Sequence, residues 1–165
     1  TNEGQEFFAT AAELKVVASM AISPAWFPDL REIAKANPTV PFLVHHMSMP
    51  GNSSSGYAKN DIAELVKSAE VPNIGIKISG FNYNSIAKYD FPYKQSQELF
   101  KTIYDAYGAD RLYWASDFPA SRDMLTYTQA IEVVRTHCDY LPKVDLDKIM
   151  GDNLNNLLNN PVFSQ

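Results

Sequence analysis

The stretch RLYWASDFP, Arg111 to Pro119, runs from an apolar strand directly into a carboxylate and a proline. The near-continuous apolar character of Leu112 to Trp114 is typical of a parallel strand covered on both faces. Pro119 cannot continue the strand. The stretch therefore predicts a strand, Arg111 to Ser116, of a parallel sheet, with Asp117 at its carboxyl end.

Three earlier apolar runs have the same character: KVVASMAI at Lys15–Ile22, VPFLVHH at Val40–His46 and NIGIKIS at Asn73–Ser79. Apolar residues at helical spacing lie between these runs, so the chain alternates helices and strands. The strand starts near 15, 40, 73 and 111 leave room for right-handed crossovers between parallel strands. Helices are predicted at 6–14, 25–36, 59–69, 94–107, 124–138, 145–150 and 153–158, with loops at 47–57 and 80–93.

The predicted fold class is α/β, built from parallel (βα) units over one domain, residues 1–165. Two architectures fit this order. One is the C-terminal half of a TIM (β/α)8 barrel, which needs about 250 residues when whole. The other is an open doubly wound parallel sheet. The chain has neither the Gly-x-Gly-x-x-Gly nor the Gly-x-x-x-x-Gly-Lys pattern, so a nucleotide-binding site receives no support.

Composition limits the partners. The net charge is −5 and basic residues do not cluster, which argues against a nucleic-acid surface. No apolar run approaches the roughly 20 residues that span a bilayer. The single cysteine, Cys138, excludes an internal disulfide and suits a reducing compartment, so a cytoplasmic location is predicted. The N-terminus TNEGQEFF does not resemble a signal peptide and has no initiator Met, which indicates a processed chain or a piece of a longer one.

Polar side chains lie where the predicted strands end, which is the edge at which α/β folds build their sites. In NIGIKIS the isoleucines share one face, so Lys77 and Ser79 share the other. Asp117 shares a face with Ala115, whose small side chain leaves room. Alternation does not decide which of His45 and His46 points inward, and one of the two is expected to be structural.

Each of these residues also has a structural interpretation. Asp117 could cap a helix N-terminus, and Lys77 could be its buried counter-ion. Arg122 follows the last strand and could bind an anionic substrate, or it could simply be solvated. Tyr83 lies in an aromatic loop that is either a lid over a substrate or part of the loop core.

Four segments together resemble a known family: PFLVHHMSMPG, NIGIKISGF, GADRLYWASDFP and IMGDNLNNLL. In order and spacing they are similar to strands six, seven and eight and the closing helix of the barrel in the amidohydrolase superfamily. The branch is the amidohydrolase-related one (amidohydrolase 2), and its lactonase-like members are the most similar. The sequence departs from the family pattern at His45, Ser48 and Ala115, and the histidine pair of the family's first strand has no counterpart here.

The resemblance implies that the chain holds barrel strands 5–8 with a C-terminal helical closure. By position, His46 and Asp117 match the family's catalytic residues, and both would bind a metal if upstream ligands exist. A zinc ion is then expected, or no cofactor if the protein is lactonase-like. The expected substrate-binding residues are Lys77, His45, Ser79, Arg122 and Tyr83.

The expected activity is hydrolysis of a small carboxylated or lactone substrate by an activated water molecule. A metal-dependent decarboxylase on the same scaffold is one alternative. The other is a non-catalytic half-barrel. Four parallel strands cannot close a barrel and leave exposed sheet edges, so a homo-oligomer is predicted.

Overall fold

The computed structural model describes residues 2–159 and contains the predicted parallel sheet. The strands are β1 Ala18–Met20, β2 Phe42–Val44, β3 Asn52–Ser53, β4 Gly56–Tyr57, β5 Ile74–Ile78 and β6 Leu112–Trp114. Four of them form this sheet in chain order, β1-β2-β5-β6, and all neighbouring pairs are parallel. Right-handed crossovers between strands that never reverse their order place the connecting helices on one face. A doubly wound sheet reverses its order and has helices on both faces.

The helices occur where apolar periodicity predicts them, with shifted ends. The predicted helix at 124–138 begins only after Thr126 because that residue forms a capping box with Gln129. The predicted helix at 145–150 starts earlier and continues as a π-helical turn, Lys148–Asp152. The α-helices are α1 Asn2–Glu13, α2 Phe27–Ala36, α3 Lys59–Lys67, α4 Phe81–Asn84, α5 Lys94–Tyr107, α6 Tyr127–Arg135, α7 Lys143–Asp147 and α8 Asn153–Leu158.

Both predicted loops contain regular structure that the sequence pattern did not reveal. The loop at 47–57 forms the short antiparallel hairpin β3–β4. The loop at 80–93 begins with the single helical turn α4. Elements this short have too few residues to show a periodicity in the sequence. Whether they form depends on their contacts with the rest of the fold.

The core lies between the sheet and its helices. Ile74, Ile76 and Ile78 are fully buried on the helix-covered face, as their alternation predicts. The closing helix is joined to the last strand by Asn153, whose side-chain amide donates to the carbonyls of Ala109 and Leu112. The helical closure of the chain thereby fixes the position at which β6 begins.

The opposite face of the sheet carries the polar residues. Gly75 lies on this face. The position requires a glycine because a Cβ there would be 2.8 Å from the Tyr113 ring and 2.9 Å from the Arg111 carbonyl oxygen. Lys77 projects from the same face and reaches Ser19 on β1. Within residues 2–159, β1 and β6 are the edge strands of the sheet. Exposed edges were the reason to predict a homo-oligomer, and this stays a prediction. None of the helices in this part of the chain is long and apolar enough to cross a bilayer.

Candidate functional site

Two strand ends bring a histidine and a carboxylate together. The Nε2 atom of His46, after β2, lies 3.7 Å from Oδ1 of Asp117, after β6. The Tyr83 hydroxyl on α4 donates to Oδ2 of Asp117. Ser79 Oγ lies 2.9 Å from Nδ1 of His46. We call these four residues the His46–Asp117 cluster. Ser79 holds the His46 ring and Tyr83 holds the Asp117 carboxylate, so the two groups are fixed relative to one another.

The backbone around this cluster is strained. Residues 46–49 follow one another with φ of 52°, 53°, 63° and 48°, and Asp117 has φ of 52°. Each non-glycine residue in this left-handed region costs roughly 1–2 kcal/mol, and such residues persist only where their surroundings hold them. Strain of this kind concentrates at functional sites, and here it coincides with both proposed catalytic residues.

Asn84 holds the strained segment in place. Its side-chain amide nitrogen donates to the carbonyls of His46 and Gly80, each at 3.0 Å. The Asn84 carbonyl in turn accepts from the Asn52 amide at 2.8 Å and from the Tyr57 hydroxyl at 2.6 Å. The hairpin β3–β4, the turn α4 and the His46 backbone therefore form one connected unit.

A second group of polar residues lies beside the first on the sheet face. Lys77 Nζ is 2.6 Å from Ser19 Oγ, and His45 Nε2 is 2.8 Å from the same oxygen. Lys77 Nζ and His45 Nε2 are 3.3 Å apart. We call these three residues the Ser19–Lys77 cluster. The His45 and His46 rings meet edge to face with centroids 5.3 Å apart, so the two clusters adjoin.

The electrostatic environment favours neutral histidines. Partial burial lowers the pKa of His46, an effect that the nearby Asp117 carboxylate opposes. Burial, together with the positive charge of Lys77, lowers the pKa of His45. Burial lowers the pKa of Lys77. Burial and the hydrogen bond to Asp117 raise the pKa of Tyr83 to about 12, so this hydroxyl remains a donor at neutral pH.

We expect His45 and His46 to titrate below the ordinary histidine value of about 6.5. The unfolded chain then takes up protons first as the pH falls, so the folded state loses stability from about pH 6.5 down through the lowered pKa values. Proton NMR of the imidazole signals, assigned with His45→Gln and His46→Gln, measures both values. Lys77→Met should raise the pKa of His45. Titration of either ring above 6.5 would contradict the described environment.

The structure brings most of the predicted site residues together: His45, His46, Lys77, Ser79, Tyr83 and Asp117 lie in the two clusters. Both histidines lie at the strand ends. Within residues 2–159, Lys77 makes no ion pair with Asp117. Arg122 is 69% exposed and pairs with Asp123 at 3.5 Å, without a hydrogen bond or ion pair to either cluster in the described chain.

Two residues of the site were absent from the prediction. Ser19 is the one hydroxyl side chain in KVVASMAI, and a polar residue inside an apolar strand was a signal that could have found it. Asn84 gave no such signal. It lies in the segment predicted as a loop, and its importance comes from the backbone atoms it contacts.

A metal fits these residues only in part. Imidazole nitrogen and carboxylate oxygen are donors that zinc accepts, and protein zinc sites use three or more of them. The part of the chain that the structure describes contains no group of three such side chains. His46 and Asp117 are therefore two ligands at most.

Solved structures define the class of fold. An amidohydrolase from Burkholderia multivorans with bound zinc superposes with a TM-score of 0.80 at 15% identity, over 93% of this chain and 56% of that one. A probable 2-pyrone-4,6-dicarboxylic acid hydrolase from Acinetobacter baumannii with citric acid bound gives 0.77 at 17% identity, over 95% and 57%. Amidohydrolase 2 from Bifidobacterium longum subsp. infantis gives 0.68 at 18% identity, over 92% and 53%. The chain thus has the fold of half of a TIM-barrel amidohydrolase and spans about half the length of these structures.

The model of the amidohydrolase family (amidohydrolase 2) matches residues 2–156, nearly the whole chain. The chain belongs to this family, which confirms the resemblance drawn from its four strand-end and helix segments. No curated protein gives a significant match to the sequence.

Proposed function

We propose that the protein hydrolyses a small lactone or carboxylated ester by attack of an activated water molecule. Family membership supports a hydrolase. The observation that carries the finer proposal is the hydrogen bonding of Asp117. Tyr83 occupies Oδ2, while Oδ1 is directed toward His46 without a hydrogen bond to it. One carboxylate oxygen is thereby fixed, and the other is left to accept a proton.

Asp117 acts as the general base in this proposal. As the water oxygen bonds to the substrate carbonyl carbon, its proton moves to Oδ1, and the carbonyl becomes a tetrahedral oxyanion. Breaking of the carbon–oxygen ester bond then restores the carbonyl, and the leaving alkoxide takes the proton from Asp117. The Tyr83 hydroxyl holds the carboxylate throughout, because its raised pKa keeps it protonated.

His46 supports this reaction as a neutral ring. With the Ser79 hydroxyl donating to Nδ1, the Nε2–H group faces Asp117 and the space beside it. This tautomer avoids a repulsion between two lone pairs and offers a donor to the oxyanion. Lys77 and His45 complete the substrate-binding edge. The exposed Arg122 makes no hydrogen bond or ion pair with either cluster among the described residues.

A bound metal would add a second means of activating water, and His46 and Asp117 would still take part. The Burkholderia multivorans structure contains zinc, and a bound divalent metal supplies Lewis-acid activation of water. His46 Nε2 and one oxygen of Asp117 would be its ligands from this chain. His46 would then take the other tautomer, with Nδ1–H donating to Ser79. A metal-dependent decarboxylase stays the alternative, and metal analysis of the intact protein separates it from a metal-free lactonase.

The test is hydrolysis of a panel of lactones and carboxylated esters by the intact protein in ¹⁸O-labelled water. We expect one heavy oxygen in the product carboxylate and full activity after metal removal if the protein is lactonase-like. Activity that returns only with added zinc would assign a metal role to His46 and Asp117. Absence of hydrolysis across the panel, with release of CO₂ from carboxylated substrates, would overturn the proposal.

A further inference from the structure

Among the residues that the structure describes, Lys77 is a cation without a paired anion. Its ammonium group contacts Ser19 and His45, and neither residue carries a negative charge. The ion pairs within residues 2–159 do not include Lys77. A half-buried lysine on the face of a sheet is rarely tolerated without a counter-charge, so this position is a place where a negative ligand would be stabilised.

The hydrogen-bonding capacity of the Ser19–Lys77 cluster points the same way. An ammonium group has three donors, and here it meets two acceptors, Ser19 Oγ and His45 Nε2. With a lone pair on His45 Nε2, the Ser19 hydroxyl donates to it across 2.8 Å and accepts from Lys77 at 2.6 Å, so hydrogens of the Lys77 ammonium group remain for a ligand. The cluster therefore presents more donors than acceptors, which is the requirement of a carboxylate with its four acceptor positions.

Position relates this group to the rest of the site. The cluster lies on the helix-free face of the sheet, and its Ser19 is solvent-exposed. The Ser19–Lys77 cluster adjoins the His46–Asp117 cluster, because the His45 ring of the first contacts the His46 ring of the second. Arg122, the other cation near this edge in the sequence, is directed to solvent and paired with Asp123.

We propose that Ser19, His45 and Lys77 form a carboxylate-binding subsite beside the His46–Asp117 cluster. The binding of the anion stands on this geometry alone. Its use as a substrate subsite rests on the proposed function. The substrate would then carry a carboxylate that binds at this subsite while its ester bond lies at the adjoining His46–Asp117 cluster.

Calorimetric titration of the intact protein with succinate tests the subsite, with succinamide as the neutral compound of the same shape. Succinate should bind and succinamide should not. Lys77→Met should weaken succinate binding by at least about tenfold, because it removes a charge-assisted donor, and Lys77→Arg should restore much of it. Ser19→Ala should weaken binding several-fold. Lys143→Met, at an exposed lysine that pairs with Asp147, is the matched control and should change nothing.

The outcomes separate this inference from the proposed hydrolysis. Equal binding by the wild type and Lys77→Met, or a dependence on Arg122→Gln instead, would overturn the subsite. Binding that depends on Lys77 in a protein without hydrolytic activity would keep the subsite and remove the proposed function. Hydrolysis that is insensitive to Lys77→Met, with equal KM for charged and neutral substrates, would leave the hydrolase and show that the cluster does not bind its substrate.

Discussion

Asp117→Asn should lower kcat/KM for hydrolysis by about 10³-fold, within the usual range for loss of a general base. Asparagine has nearly the same shape, and its carbonyl oxygen can still accept the hydrogen bond that Tyr83 donates. The substitution therefore removes the proton acceptor and leaves the cluster assembled. The measurement is steady-state kinetics of the intact protein, accompanied by thermal unfolding to show that the fold is retained.

The matched control is Asp123→Asn, six residues further along, where the carboxylate is 83% exposed and pairs with Arg122. It should leave both rate and stability unchanged. Asp117→Asn should also leave succinate binding intact, since the Ser19–Lys77 cluster does not include this carboxylate. An unchanged rate for Asp117→Asn would show that this residue is not the base and would remove the mechanism.

Gly80→Ala should have the second largest effect, about a 10²-fold loss of activity, because small displacements of reacting groups cost rates of this size. Gly80 has φ of +70°, and an added Cβ would be 2.8 Å from the Tyr83 ring and 3.1 Å from the His46 Cβ. One methyl group would thus push apart two members of the His46–Asp117 cluster. Overpacking and the unfavourable φ together should lower the free energy of unfolding by about 1–3 kcal/mol.

Gly151→Ala is the control for this prediction. Among the described residues, a Cβ at Gly151 meets no atom within 4 Å, so we expect activity to be retained and stability to change little. Chemical denaturation and kinetics on both variants give the comparison. If Gly80→Ala kept full activity with displaced His46 signals in NMR, the position of the His46 ring would not matter to the reaction.

The order of the four sheet strands and of the helices that connect them was predictable because each depends on local periodicity. In NIGIKIS the alternation predicted both the buried isoleucines and the opposite placement of Lys77, and the structure has both. The family was predictable from four separated segments, and the match over residues 2–156 confirms it. A barrel half and a doubly wound sheet share the same local pattern, so only the order of the strands in space separated them.

The sequence by itself therefore determined the class of fold, the family and the strand ends at which polar residues gather, since parallel strands place their carboxyl ends at one edge. The roles of those residues in catalysis and binding stay predictions. Only the tertiary structure decided that His45 and His46 serve different clusters, because the left-handed backbone at His46 turns its ring away from the alternation of β2. Only the tertiary structure joined Ser19 to Lys77 and Asn84 to His46, since residues distant in sequence meet only once the sheet and its loops have packed.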